Sequence, residues 1–571
     1  MPFDRTKGPH PKVSEAFDLM SRGHLGRREF VRLAALLGIG ASTAYALAGI
    51  TPAAATDLPF SADDPKARVG GTIRIGMVVQ PMDDPATYSR VQMSNQTRHT
   101  TEYLAMTGTD NITRPMLAES WEASPDLKTW TFHLRQGVIW HNGEELTSEH
   151  VKWNLERWCD PKVASSNIGL STISAIVRDV DKGEKDDKGN AKTTKELIAG
   201  SIETPDKNTL VLHLQKPVLS VPEDFYNYPT TILHPTFVPP FHSNPNGTGP
   251  YRLVEFKVGE KCTLKRVEKT PDGRDFVYWG GKVYLDEIHY LHYEAENQLA
   301  ALQSGQVDAI YEFGSEQIEL AKSILNAQLI AARTAQTVVC RMQMDHKPFD
   351  DSRIRKAMQL SLDRAPIKAL VYPDGGDVGE DHHVSPVHPE YFKLPPLQRD
   401  IAGAKALLKQ AGMANLDVTI DVGNTEGPYQ QQMVEAMRDQ LAEAGIKLNL
   451  NIMPAEKYWE IWTTTPFGCT TWTHRPLGTM TLSLAYRRGV PWNESHYDNP
   501  AFDRALDEAE ATLDVNARRG KMEKVEKILQ DDAVILQCLW RPIYTIASKK
   551  VHGFPAHPTQ YHQLNKTWVE A

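Results

Sequence analysis

Between Asp400 and Ile452 the sequence changes its hydrophobic period at each turn of the chain, and that order restricts the fold more than any other feature. Asp400 to Ala411 reads as a helix stopped by Gly412. Leu416, Val418, Ile420 and Val422 then alternate as a strand does. Met433, Ala436, Met437, Leu441 and Ala444 recur at helical spacing up to Gly445, and Leu448, Leu450 and Ile452 alternate again. A period of 3.6 buries one stripe of a helix, and a period of two buries one face of a strand. Helix-strand-helix-strand order puts helices on the faces of a parallel sheet, so the expected class is α/β.

The preceding half is written differently. "GGTIRIGMVV" alternates from residue 70, and so do "DLKTWTFHLRQGVIW", through Trp130, Phe132 and Leu134, and "NTLVLHLQKPV", through Leu210, Leu212 and Leu214. These predict long strands of an antiparallel or mixed sheet. Residues 181–196, "DKGEKDDKGNAKTTKE", are charged and punctuated by glycine, and read as an exposed loop insertion. In "YEAENQLAALQSGQVDAIY", Leu299 and Leu302 lie on a helix, Gly305 supplies its left-handed cap, and Val307–Tyr311 form a short strand. A second helix is capped by Asp350 or Asp351, buries Ile354, Ala357, Met358, Ser361 and Leu362, and ends at Pro366. The change of style near residue 335 predicts a second lobe. The run "AVILQCLW" (533–540) would carry the chain back to the first.

The first 55 residues have the layout of an export label. A basic region ends at Arg32, a weakly apolar run follows from Leu33 to about Ile50, and Ala53-Ala54-Ala55 fit a cleavage site. The mature chain would then begin at Thr56. The alternative is an amphipathic N-terminal helix of the mature protein. Arg27-Arg28-Glu29-Phe30 resembles the twin-arginine translocation signal, with Gly26 where that motif usually has Ser or Thr, and such a route carries folded cargo. Residues 56–571 hold 56 basic and 68 acidic side chains, a formal charge of −12. An acidic chain without a basic run is a poor nucleic-acid binder, because phosphate neutralisation needs clustered Lys and Arg. The five cysteines (Cys159, Cys262, Cys340, Cys469, Cys538) are far apart and odd in number, so at least one thiol is unpaired within the chain.

Motifs for chemistry are missing. The mature chain has no G-x-G-x-x-G after a strand, no P-loop, no H-E-x-x-H and no G-x-S-x-G. The cysteines lack iron–sulfur spacing, and no cofactor is expected. His382, His383 and His388 are candidate metal ligands, but they read better as a polar loop ended by prolines, because adjacent histidines point apart and no acidic or cysteine partner stands at fixed spacing.

The positive signal is a series of segments in order. Residues 116–157, "MLAESWEASPDLKTWTFHLRQGVIWHNGEELTSEHVKWNLER", resemble the signature region of extracellular solute-binding proteins of the peptide/nickel class (family 5), the receptors of peptide-type ABC importers. His150 stands where that family usually has Asp. The likeness continues at 247–256, 284–311, 347–364 and 496–509, and it spans essentially the whole mature chain. It implies a two-lobed periplasmic-binding-protein-like fold with mixed sheets and a discontinuous first lobe. The expected divisions are a signal at 1–55, a first lobe at 56–335 with an additional β-rich subdomain, a second lobe at 336–537, and a return to the first at 538–571.

The ligand would sit between the lobes. In peptide-binding relatives a Trp followed closely by an Asp holds the ligand's amino terminus. The corresponding stretch "TTWTHRPLGTM" keeps Trp472 and replaces the acid with His474-Arg475-Pro476, beside Thr473. That exchange favours an anion, since a guanidinium grips carboxylate or phosphate with two donors. The alternative is a salt bridge of Arg475 within its own lobe. In "TVVCRMQM", Arg341 shares a strand face with Val339 and Gln343 that is expected to line the cleft. Tyr88, Ser89 and Asn95 are first-lobe candidates. His382 and His383 fall in a stretch similar to the family's Ser-Pro-x-x-Pro loop near the cleft, and Tyr486 and Trp492 are aromatic candidates. The resulting expectation is a monomeric periplasmic receptor, not an enzyme. It would be exported by the twin-arginine translocase, capture a peptide or peptide-sized, anionic solute, and deliver it to an inner-membrane ABC permease. Rival readings are a metal or metallophore receptor, a secreted hydrolase or redox enzyme, and a periplasmic sensor or peptide holder.

Overall fold

The computed structural model describes residues 10–49, 63–185, 191–512 and 514–570. Its frame is one mixed sheet built around two long antiparallel strands, Ala327–Met342 and Ile535–Ser548. On one side of this pair stand Ala309–Ile310, Thr72–Met77, Glu287–His292, Lys261–Arg266 and Tyr251–Lys257; on the other stand Phe467–Trp472, Leu416–Val422 and Ile446–Ile452. The register of the long pair breaks between Ala332 and Gln336 and again between Thr337 and Val339. The molecule is therefore two-lobed, with each long strand giving one half to each lobe.

The alternating periods fold as written. Leu416–Val422 and Ile446–Ile452 pair in parallel, joined by helix Tyr429–Ala442, whose Met433, Met437 and Leu441 are fully buried. Asp400 caps helix Ile401–Gln410, and Gly412 and Gly445 follow their helices at φ +75° and +87°, the left-handed region where only glycine is unstrained. In the first lobe, Ala118–Ala123, Thr129–Leu134, Thr209–His213 and Ile202–Asp206 form a separate antiparallel sheet that buries Trp130, Phe132, Leu210 and Leu212.

Two expectations differ from the structure. The charged stretch is not a loop over its described residues: Val177–Lys185 and Ala191–Leu197 make a two-stranded ribbon. Beyond Val177 and Leu197 at its base its cross-strand pairs are mostly polar, such as Lys195 with Asp179 at 2.8 Å, so no apolar alternation betrays it. Pro366 does not end the helix before it. Helix Ser352–Leu360, capped by Asp351, stops earlier, and Pro366 lies in the first turn of helix Arg364–Val371, where its missing N–H costs nothing. The apolar run after Arg32 is two short helices, Arg27–Leu36 and Ala41–Leu47, and the first is packed into the molecule. The proposed cleavage residues Ala53-Ala54-Ala55 lie outside the described residues.

Among the described residues no helix is long and apolar enough to cross a membrane. All five cysteines are buried and free.

Candidate functional site

A narrow cavity of about 40 Å³ lies where the lobes meet. Larger hollows at 415–450 and around Glu119, Arg135 and Trp279 are each formed on the surface of a single lobe. The first lobe contributes Ser89, Arg90, Gln92, Tyr228 and Tyr311 to the interlobe cavity. The second contributes Gln336, Glu426, Trp459, Trp462, Thr471, Trp472, Thr473, Arg475 and Trp492, and the returning tail adds Gln560.

Arg475 is the unusual member. It is 3 % exposed, yet its guanidinium makes one long hydrogen bond, from Nη1 to the Thr473 carbonyl at 3.5 Å. Nε and Nη2 have no partner. The group is held by three rings instead, at 5.9 Å from Tyr228, 5.6 Å from Trp472 and 5.5 Å from Trp492. Aromatic faces attract a cation but leave its in-plane donors open, and buried donors without acceptors are costly. Burial pushes the Tyr228 hydroxyl up to about 12, against the pull of Arg475.

The aromatic cage is itself fixed. Trp472 Nε1 donates to Glu494 Oε1 at 2.7 Å, and Trp492 stacks on Tyr228 at 5.6 Å. The acid that the family resemblance implies beside this Trp is replaced by His474-Arg475-Pro476, but an acid reaches the cavity by another route. Glu426 follows strand Leu416–Val422 and precedes helix Tyr429–Ala442, beyond the carboxyl end of a parallel strand, where α/β sheets commonly hold ligands. Burial, and then the nearby Glu312, raise its pKa well above the usual carboxylate range. Arg541 pairs with Glu312 at 2.9 Å and stands 3.8 Å from Glu426, so one cation serves two acids. On the rim, Arg90 of the first lobe pairs with Glu456 of helix Ala455–Ile461 at 3.1 Å, and Gln80 Nε2 donates to the same carboxylate.

Of the residues expected at the site, Ser89, Trp472, Thr473, Arg475 and Trp492 line this cavity. The others are spent elsewhere. Arg341 is completely buried and saturated: it donates to Glu494 Oε2 at 2.9 Å, to the Thr465 carbonyl at 2.6 Å and to the Trp462 carbonyl. His474 Nδ1 accepts from the Ala335 amide at 3.1 Å and Nε2 faces Asn111 Oδ1 at 3.3 Å; burial holds its pKa well below the usual range. His383 packs edge-on to Trp472 at 5.2 Å and bonds Tyr486 at 3.1 Å, so both brace the cage from behind. His382 bonds Glu380, and Tyr88 is buried away from the cavity. Asn95 donates to the Gln560 carbonyl at 3.0 Å and so positions the tail.

The sequence reading missed Arg90, Tyr228, Glu426, Trp459, Trp462 and Gln560. Two signals were available: "NTEGP" directly after a parallel strand, and two tryptophans three residues apart in "YWEIW".

Metal ligation was tested on the donors. His388 Nδ1 accepts from the Ser385 amide at 2.9 Å, which puts its proton on Nε2, bonded to the Arg475 carbonyl. Neither nitrogen has a lone pair free. Among the described residues two other groups have metal-like spacing: Glu144 with His150 and His234, and Asp345 with His346 and His496. In the first, His150 Nδ1 accepts from Trp140 Nε1 at 3.1 Å, so the neutral ring carries its proton on the nitrogen a metal would need. The second is exposed, and His496 Nδ1 is bonded to Asp345 at 2.8 Å.

Comparison with known proteins agrees with this architecture. A family model described as bacterial extracellular solute-binding proteins, family 5 Middle, matches residues 113–487. The chain is 25% identical over 511 residues to the periplasmic oligopeptide-binding protein OppA of Haemophilus influenzae, covering 84% of this chain and 90% of that one. The periplasmic binding protein DppA of Helicobacter pylori, solved with the peptide STSA, superposes with a TM-score of 0.75 at 20% identity over 88% of this chain and 99% of that one. The binding protein AgaA of A. tumefacien R10, solved with agropinic acid, gives 0.75 at 24% identity over the same shares.

Proposed function

The chain belongs to the bacterial extracellular solute-binding proteins, family 5, and on that premise we propose that its two lobes close on a compact solute whose anionic group meets Arg475 and whose cationic group faces Glu426. As a member of this family it is a transport receptor and not an enzyme. The closed form is selected by a ligand that contacts both lobes at once.

The observation that carries the reading is the buried Arg475 with two unused donors inside the interlobe cavity. An empty site of this kind is expensive, and a carboxylate or phosphate placed there satisfies both donors. Glu426 supports a second pole. Its carboxyl shares Arg541 with Glu312 and is therefore short of positive charge. The narrowness of the cavity favours a compact zwitterion over an extended peptide.

In this reading the receptor works in the periplasm as a monomer, is exported by the twin-arginine translocase with cleavage near Ala55, and hands its solute to an inner-membrane ABC permease. The metallophore alternative loses its support where His388 has both nitrogens engaged.

A thermal-shift screen tests the proposal. Dipeptides, longer peptides, N-carboxyalkyl amino acids, dicarboxylates, phosphorylated solutes and metal ions are compared on the same protein. A compact zwitterion is expected to raise the Tm by mass action. Stabilisation by metal ions alone, or by long peptides and no compact solute, contradicts it.

A further inference from the structure

Helix Arg27–Leu36 is not loosely attached. Phe30, Val31, Ala34 and Leu36 are completely buried, and they belong to the same apolar cluster as Trp121 and Phe132 of the first lobe and Val525 and Leu529 of helix Val515–Asp531. The fit is specific. Trp121 Nε1 donates to the Leu36 carbonyl at 2.8 Å. Gly38 sits at φ +87°, and a Cβ there would come 2.4 Å from the Trp121 carbonyl oxygen, so no other residue is accommodated.

Its polar ties run both ways. Towards the first lobe, Arg32 Nη1 donates to Glu223 Oε1 at 2.8 Å, His10 Nε2 meets the Ser124 carbonyl at 3.1 Å, and Tyr45 donates to Asp110 at 3.1 Å. Towards helix Val515–Asp531, Arg518 donates to Glu29 Oε1 at 3.3 Å and Asn516 to the His24 carbonyl. That helix is fastened to the second lobe, because Gln530 accepts from Gln359 at 3.0 Å and donates to the Glu380 carbonyl at 3.0 Å, and Glu526 accepts from the Phe392 amide at 3.2 Å. Arg32 and Glu29 are joined to each other by two bonds of 3.0 and 2.8 Å. A continuous chain of side chains, Glu223–Arg32–Glu29–Arg518, therefore crosses from one lobe to an element held by the other.

We propose that the seam between the lobes is a docking surface for residues 10–49 of the same chain, and that this segment straps the receptor in its closed form until it is removed or displaced. Arg27 and Arg28 remain exposed at the start of the helix. An arginine-reading translocase thus finds its signal on a folded, strapped molecule, whereas use of the apolar run behind it requires undocking. The strapped chain exchanges solute slowly, since entry and exit both require opening. The inference uses the receptor reading only for its biological meaning; its test needs no ligand.

The test uses full-length chain carrying Asp272→Cys and Asp439→Cys, exposed positions on the first and second lobes, for spin labelling; the five native cysteines are buried. Interlobe distances are measured by pulsed dipolar spectroscopy without added solute. The strapped chain is expected to give one short, narrow distance population. Arg32→Ala, and the milder Glu29→Gln, which removes the charge that pairs with Arg32 and Arg518 while leaving the apolar face intact, should each add a longer population of at least a quarter of molecules. Circular dichroism verifies that both variants are folded, and Glu29→Gln keeps the test decisive where Arg32→Ala is not. The proposal is overturned when the unmodified full chain already shows the long population to the same extent, or when folded Glu29→Gln and Arg32→Ala stay as closed as the parent. A failed ligand screen combined with strap-dependent distances would sink the solute assignment and leave the strap standing.

Discussion

Arg341 and Arg475 lie in the same lobe, both buried, at opposite ends of the strand pair formed by Ala327–Met342 and Phe467–Trp472. Both were expected to face the ligand. Arg341 is enclosed by Glu494 and two carbonyls and has nothing left to offer. Arg475 is enclosed by rings and keeps two donors open. Burial of a charge does not by itself mark a site. What marks it is burial with unused bonding capacity, next to space.

The first way to break the comparison is to remove Arg341. Arg341→Ala leaves the Glu494 carboxylate buried without its counter-ion, and unfolding titration should show a loss of about 3–5 kcal/mol. Restoring part of that loss with Glu494→Gln in the same chain would sharpen the assignment. A mild effect on stability together with lost binding would place Arg341 at the ligand instead.

Arg475→Ala should behave in the opposite manner. Its removal leaves the apo melting temperature nearly unchanged and weakens a bound anionic solute by roughly 10–100-fold, the loss expected for hydrogen bonds to a charged group. Large destabilisation of the apo protein would equate the two arginines.

Glu426→Gln is the next smaller effect. It should weaken a zwitterion by about tenfold, the lower end for a charged hydrogen bond, and leave a dicarboxylate unaffected. Burial and Glu312 raise Glu426, so its carboxyl keeps its proton to a higher pH than an ordinary carboxylate, and pairing with a ligand ammonium favours losing it. Zwitterion affinity in the parent should therefore rise with pH above the ordinary carboxylate range, and calorimetry in buffers of different ionisation enthalpy should register the released proton. Arg541, Arg90 and Tyr311 face the same region and bear on this profile.

The smallest effect concerns a buried acid on the saturated side of the comparison. Glu102 accepts from Tyr278, Trp279 and Thr248, and burial pushes it up to about 7. Between its unfolded value near 4.5 and about 7 the unfolded chain is ionised and the folded one is not, so stability falls as pH rises through that window. Glu102→Gln should flatten this slope by on the order of 3 kcal/mol.

The parallel strands at 416–422 and 446–452 were legible because their apolar residues repeat without interruption and glycines close both helices. The ribbon of 177–185 and 191–197 was illegible because only its base, Val177 and Leu197, packs on the core, and the end of helix Ser352–Leu360 was misplaced because proline is allowed in the first turn of its successor. At the site, Arg475 and the tryptophans could be read from their local order. Glu426 and Gln560 could not, since they reach the cavity from a loop and from the tail, and only the folded chain brings residues 426, 475 and 560 together. The docking of residues 27–36 was hidden for a related reason. A basic stretch followed by an apolar run reads as an export label whether or not it docks, and only the folded chain brings Glu223, far away in sequence, against Arg32.

The most direct measurement of the central claim is isothermal titration calorimetry of the strongest-binding compact solute against the parent and Arg475→Ala proteins, with the apo melting temperature of each. The account predicts equal melting temperatures and a Kd at least tenfold weaker in the variant. Equal Kd values would contradict it and return Arg475 to the structural role that Arg341 fills.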